Sequence, residues 1–109
     1  VYTGTHDNVT TEGWRSNASA EDVDYACRYL RCTPEALTEG MICACLASVS
    51  DTTIIPLADW LHLGSEARIN TPSTQGANWR WRLAQPLPPT LAGHIAELTT
   101  LYERVPETR

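Results

Sequence analysis

The 109 residues fit one small domain, and with hydrophobic residues at 42% and charged residues at 19% the composition excludes a disordered chain. The net charge of −5 argues against nucleic acid and anionic membranes as partners, because both need basic patches. No apolar stretch approaches the ~18 residues of a membrane span.

The chain opens at Val1, without a methionine, inside what reads as the end of a strand (residues 1–5). We read this as the tail of a longer enzyme. Residues 7–18 read as a loop carrying Gly13 and Trp14. Ser19-x-x-Asp22 has capping-box spacing, with Asp as the weaker partner at the last position. Val23, Ala26, Cys27 and Leu30 follow at helical spacing on one face. Thr33-Pro34 restarts a helix, with Thr as N-cap and Pro at the first helical position. Its buried face reads as Leu37, Met41, Ala44, Cys45 and Ser48. Gly40 lowers its propensity by about 1 kcal/mol relative to Ala, so something must pack there.

Residues 52–57 (TTIIPL) form a β-branched, apolar run suited to a strand buried on both faces, with Pro56 ending the ladder. Residues 58–63 read as one helical turn stopped by Gly64. Residues 65–88 are a long irregular segment, and a loop of this length in a compact domain is usually functional or disordered. Trp79 and Trp81, alternating with Arg80 and Arg82, argue for order. Leu91, Ile95, Leu98 and Tyr102 mark a last helix, started by Pro88-Pro89 and ended before Pro106.

The order is strand, helix, helix, strand, loop, helix. That is βα followed by βα, the repeating unit of a (β/α)₈ barrel. The expected fold class is α/β: the last two βα units of a TIM-type barrel, mostly helical as an isolated chain. Residues 1–109 form one incomplete barrel domain in this reading. Two parallel strands alone would leave open edges.

Three polar clusters carry the chemistry. His6-Asp7-Asn8 sits at the C-terminal end of a strand, where a barrel enzyme places catalytic groups. The two oxygens of Asp7 can accept hydrogen bonds from vicinal sugar hydroxyls, and its charge can stabilise a developing cation at an anomeric carbon. The competing reading is an Asx-type turn leaving the strand. Residues 64–74 gather Ser65, Glu66, Arg68 and Asn70, either lining a ligand, with Asn70 facing hydroxyls, or forming a Glu66–Arg68 surface pair. In residues 78–82, the tryptophans either stack on sugar rings or pack over an open barrel end, with the arginines paired to carboxylates. Stacking on nucleobases is disfavoured by the net charge.

Cys27, Cys32, Cys43 and Cys45 lack the paired C-x-x-C spacing of structural zinc sites. They read as small hydrophobes in a reduced cytosol, with disulfides as the alternative. The sequons Asn8-Val9-Thr10 and Asn17-Ala18-Ser19 carry no meaning in that compartment. His62 and His94 read as surface or partly buried side chains without a ligand role. Neither a nucleophile motif nor a phosphate-binding glycine loop is present, and no metal or cofactor is expected.

YTGTHDNVTTEGW (2–14), ASVSDTTIIPLADWLHLGSEARINTP (47–72) and GANWRWRL (76–83) closely resemble the C-terminal part of the 4-α-glucanotransferases. These enzymes, also called amylomaltases or disproportionating enzymes, form glycoside hydrolase family 77. LAGHIAELTTLYER (91–104) resembles their last helix. The resemblance implies a TIM-type barrel that moves an α-1,4-glucan segment to the 4-hydroxyl of an acceptor sugar with retention. A carboxylate nucleophile and a second carboxyl group as acid/base do the covalent chemistry, and a third carboxylate stabilises the transition state. It implies that Asp7 is that third carboxylate, that His6 binds the same sugar, and that Asn70 lies near the glucan. The nucleophile and acid/base would lie on earlier strands, absent from this chain. The implied partners are α-1,4-glucans, maltooligosaccharides and the rest of the barrel, with no nucleic acid or membrane, in the cytoplasm. The alternative is a non-catalytic glucan-binding or assembly module derived from that barrel. Three positions depart from the pattern: Val9 stands for an aspartate, Ser73 for a glycine, and Pro88 for a Thr N-cap.

Overall fold

The computed structural model describes residues 1–106. Five α-helices run in chain order: α1 (Thr11–Asn17), α2 (Ala20–Leu30), α3 (Leu37–Leu46), α4 (Leu57–Trp60) and α5 (Leu91–Leu101). Single 3₁₀ turns lie at Pro34–Ala36 and Ser65–Ala67. None of these helices is long and apolar enough to cross a membrane.

The expected loop over residues 7–18 is corrected by α1. Thr10 is its N-cap, and the hydroxyl accepts from the Gly13 N–H at 3.1 Å. Gly13 is there for close approach. A Cβ on it would lie 2.6 Å from both Val9 Cγ2 and Ser65 Oγ, so the chain before the helix and the 65–67 turn both pack onto its first turn. The apolar Val9 therefore supports the segment that carries Asp7.

α2 forms as its sequence dictates. Ser19 accepts from the Asp22 N–H at 3.1 Å, and Val23, Ala26, Cys27 and Leu30 make its inner face. It ends at Arg31 in the left-handed region (φ 56°), with Cys32 N–H bonded back to Cys27 O at 3.0 Å. Thr33 caps no N–H with its side chain, and Pro34 opens a 3₁₀ turn that passes into α3.

α3 is the hub and packs against α1, α2, α4 and α5. Its buried residues are Leu37, Thr38, Ile42, Cys45 and Leu46. The expected face is thus partly wrong: Ala44 is exposed, while Ile42 and Leu46 are buried. A helix apolar nearly all round gives no single stripe to read. The packing expected at Gly40 is present, since a Cβ there would sit 3.1 Å from Cys32 Sγ and 3.5 Å from Leu30 Cβ. Cys27 and Cys45 are buried, Cys32 and Cys43 half-buried, and all four are thiols. Burial pushes the Cys45 thiol above its usual range.

The two expected strands are reduced to one parallel bridge, Tyr2 with Ile54. Val1 N donates to Thr52 O at 2.8 Å, and Ile54 N–H donates to Val1 O at 2.9 Å. The pairing is parallel, as βα order requires, but among the described residues neither segment pairs with a further strand. Tyr2 is 55% and Ile54 60% exposed, so burial on both faces is not realised. The chain exposes 7821 Å², whereas a self-contained domain of its mass exposes roughly 6,000 Å².

α4 starts one residue before the expected 58–63 turn and covers 58–60 of it, and its stop is His62 rather than Gly64. His62 has φ 55°, and Leu63 N–H returns to Ala58 O at 2.8 Å. α5 stops at Leu101, three residues short of the resemblance. Beyond it, Arg104 donates to Leu46 O (2.7 Å), Ser48 O and Ser50 O (both 3.0 Å). Leu46 O is the last carbonyl of α3, where a cation is favoured, and Ser48 and Ser50 lie in the segment that follows.

Two polar links set the helix positions. Asp59 is 2% exposed and accepts from Thr3 Oγ1 (2.6 Å), Thr11 N–H (2.9 Å) and Thr11 Oγ1 (3.0 Å). Glu12 accepts from Thr38 Oγ1 at 2.8 Å and from Arg15 at 2.9 and 3.1 Å, tying α1 to α3. Burial pushes the Glu12 carboxyl up, but the Thr38 and Arg15 hydrogen bonds and the Arg15 charge outweigh it and leave it below its usual range.

Replacing Asp59 by Ala should cost on the order of 3 kcal/mol, because the buried Thr11 N–H loses its acceptor. Urea denaturation of the complete gene product measures this, and a loss under about 0.5 kcal/mol would refute the role. Glu12→Gln should cost ~1 kcal/mol at pH 7. A carboxyl lowered below its unfolded value of about 4.3 stabilises above that pH, and the gain is lost as pH falls through the folded pKa. The gap between Glu12→Gln and wild type should therefore narrow as pH falls below about 4.3; a gap that does not shrink on acidification overturns the assignment.

Candidate active site

His6 and Asp7 occupy the two central positions of a tight turn. Asn8 N–H donates to Thr5 O at 3.1 Å, and Asn8 Oδ1 accepts from Thr5 N–H (2.8 Å) and Thr5 Oγ1 (3.0 Å). Thr5 Oγ1 also accepts from Asp7 N–H at 3.3 Å. The turn reading of His6-Asp7-Asn8 is met. Asn8 makes the turn, and His6 and Asp7 project from it, with side chains 52% and 47% exposed. His6 Nε2 lies 3.4 Å from Asp7 Oδ2.

The segment after Ala67 closes on this turn. Asn70 Nδ2 donates to Asp7 Oδ1 at 2.7 Å across 63 positions of sequence. Arg68 donates to Asp7 O (2.8 Å) and to Asn70 O (2.9 Å), so one guanidinium joins the two backbones. The expected Glu66–Arg68 pair is corrected: Glu66 turns back to accept from Gly64 N–H at 3.1 Å, which leaves Arg68 to the turn. The three expected site residues, His6, Asp7 and Asn70, are thus brought together on one open face. Arg68 is the member that sequence reasoning set aside, because nothing local distinguishes a positioning arginine from one half of a surface pair.

Asn78 holds the far end of this segment. Its Oδ1 accepts from Thr71 N–H at 2.8 Å, and its Nδ2 donates to Thr74 Oγ1 at 3.1 Å. Between them Ser73 adopts φ 62°, the region that favours glycine. Trp79 is 58% exposed, with its ring centroid 4.9 Å from that of His6. Trp81 is half-buried, and neither Arg80 nor Arg82 pairs with a carboxylate among the described residues, against the expected pairing. Asn17 Nδ2 donates to Gly13 O at 2.9 Å, so both sequon asparagines are engaged by the fold.

The two other histidines converge on Glu39 of α3. His94 of α5 contacts Glu39 Oε1, and His62 Nε2 lies 3.6 Å from Oε2. Trp60 meets the His94 ring edge-on, with centroids 6.0 Å apart. Their role is to dock α5 and the end of α4 on α3. No group of three metal-ligating side chains with suitable geometry occurs among the described residues.

Chemically, the cluster offers a carboxylate with one oxygen fixed by an amide donor and the other beside an imidazole. Asp7 Oδ2, the second lone pair of Oδ1, the Asn70 carbonyl and the His6 ring nitrogens remain open to hydroxyl groups.

Residues 1–88 match the family described as 4-alpha-glucanotransferase (Glyco_hydro_77). The chain is 42% identical over 106 residues to a 4-alpha-glucanotransferase of Synechocystis, which covers 95% of this chain and 21% of the relative. It is 43% identical over 84 residues to the chloroplastic/amyloplastic 4-alpha-glucanotransferase of Solanum tuberosum, covering 76% of this chain and 15% of the relative. Among solved structures, an amylomaltase from Streptococcus agalactiae in complex with acarbose superposes with a TM-score of 0.87 at 39% identity, over 94% of this chain and 21% of that one. The chain thus spans about a fifth of the length of the relatives it matches. On these matches, and with its motif residues gathered at one site, the chain belongs to the 4-alpha-glucanotransferase family.

Proposed function

We propose that this chain forms the last two βα units of a (β/α)₈ barrel and supplies the transition-state-stabilising aspartate of a 4-alpha-glucanotransferase. In this reading the enzyme transfers an α-1,4-glucan segment to the 4-hydroxyl of an acceptor sugar by retaining double displacement. The observation that carries it is the Asn70 Nδ2 to Asp7 Oδ1 hydrogen bond of 2.7 Å. It joins two motifs far apart in sequence and fixes one carboxylate oxygen, so the other keeps a set direction. The single Tyr2–Ile54 parallel bridge and the excess exposed surface favour a barrel whose other strands complete the edges.

Cleavage of a glycosidic bond builds positive charge on the anomeric carbon and ring oxygen. Asp7 stabilises that charge and accepts from ring hydroxyls whose hydrogen bonds strengthen in the transition state. His6 binds the same sugar from beside Asp7. Asn70 holds Asp7 in place and offers its own carbonyl to the glucan. The nucleophile and the acid/base come from other parts of the barrel. The acarbose bound to the related amylomaltase supports a sugar ligand here. We also propose the cytoplasm as its compartment; the plastid designation of the Solanum tuberosum relative makes localisation of the complete gene product the check.

In the complete gene product, Asp7→Asn should lower kcat for transfer between maltotriose molecules by at least about 100-fold, with the melting temperature unchanged. Near-normal turnover would remove Asp7 from the mechanism. Asn70→Ala should cost about tenfold, the worth of one hydrogen bond to a charged group. Residues 1–109 expressed alone should show no transfer, and detectable transfer would mean that the covalent chemistry resides in this chain. Calorimetric titration of the same piece with maltoheptaose tests the non-catalytic alternative, which requires binding without any transfer by the complete product.

A further inference from the structure

Trp79 has no part in the proposed chemistry, yet its placement is costly. Its φ is 63°, a region that a bulky side chain rarely adopts. Its indole is 58% exposed. The backbone is pinned there by Trp79 N–H donating to Ile69 O at 2.6 Å. Strain of this kind persists where the surrounding structure over-determines it, and such residues cluster at functional sites.

The indole meets the His6 imidazole, with ring centroids 4.9 Å apart and planes inclined at 37°. That separation is within the range of attractive aromatic pairs. His6 needs such a partner. The Thr5–Asn8 turn fixes its backbone, but a half-exposed side chain is otherwise free to leave its rotamer well. Asp7, by contrast, is held twice, by Arg68 at its carbonyl and by Asn70 at its carboxylate. The 68–79 segment thus places one group on each element of the turn, and Trp79 is the one that reaches His6. A tilted ring contact also occupies neither ring nitrogen, which a hydrogen-bonding partner would.

We propose that Trp79 is a positioning residue: its indole sets the His6 ring so that Nε2 faces Asp7 Oδ2, and it is not itself a sugar-stacking platform. This rests on the proposed role of His6 at the transferred sugar.

The test uses the complete gene product and maltotriose as substrate. Trp79→Ala should lower kcat by up to about tenfold with KM changed less than about twofold, and Trp79→Phe should restore most of the rate. In a His6→Ala background, Trp79→Ala should have no further effect, because the two act as a unit. Trp79→Gly, which suits φ 63°, should repeat the alanine loss without lowering the melting temperature, separating the lost ring from backbone distortion. A rise in KM at unchanged kcat that persists in the His6→Ala background would make Trp79 a sugar platform and overturn the proposal; so would full activity of Trp79→Ala. A readout independent of transfer is the NMR signals of the His6 ring. Trp79→Ala should move its proton shifts while leaving those of His62 and His94 in place. Unmoved His6 signals overturn the proposal. If the wild-type product shows no transfer, the catalytic reading fails, and the NMR result alone decides whether Trp79 orients His6.

Discussion

The buried carboxylate of Asp59 is the constraint on which the site depends. Its three donors come from Thr3 and Thr11, one on each side of the segment that carries His6 and Asp7. A single side chain in α4 therefore fixes both ends of the residue 4–10 excursion. α4 is only one turn long, too short to be stable by itself. It is held by Pro56 before it, the left-handed His62 after it, and α3 beneath it. The polar bonds at Asp59 thus convert the packing of a short helix on α3 into the placement of the turn that carries His6 and Asp7.

On the other side of the turn, the 68–79 segment grips it through three kinds of contact. Arg68 holds backbone, Asn70 holds the carboxylate, and Trp79 meets the imidazole. The segment has almost no regular structure, and its order comes from side-chain bonds, chiefly those of Asn78, which span the strained Ser73. Placing functional groups on irregular backbone is the common solution when a rigid scaffold lies beneath. Here the scaffold is the α1–α3–α4 cluster, tied together by Glu12, Thr38 and Asp59.

Away from the site, the chain is a set of faces without partners. Among the described residues the Tyr2–Ile54 bridge has no further strand beside it, and large apolar side chains such as Val49 and Leu101 stand in solvent. The polar interactions found there join segments distant in sequence. Arg104 on the last carbonyl of α3 and the two serine carbonyls beyond it, and Glu39 between His62 and His94, fasten α5 where apolar burial is thin.

The sequence by itself determined the elements whose signals are local. α2 was legible from Ser19 and a four-residue apolar face, and α5 from its leucine spacing. The parallel pairing of the first and second extended runs followed from βα order. Motif resemblance pointed to His6, Asp7 and Asn70, and these do meet. Other features were not legible because their causes lie far apart in the chain. α1 looked like a loop, since Gly13 signals a breaker until Val9 and Ser65 are seen to occupy the space a Cβ would need. The inner face of α3 was misread because an apolar helix has no preferred stripe until four neighbours surround it. Nothing near Arg68 or Trp79 says that one joins Asp7 to Asn70 and the other meets His6. Local propensity is written in neighbouring residues. Which side chain completes a turn sixty residues away is decided only when burial of α3 and Asp59 brings the two segments together.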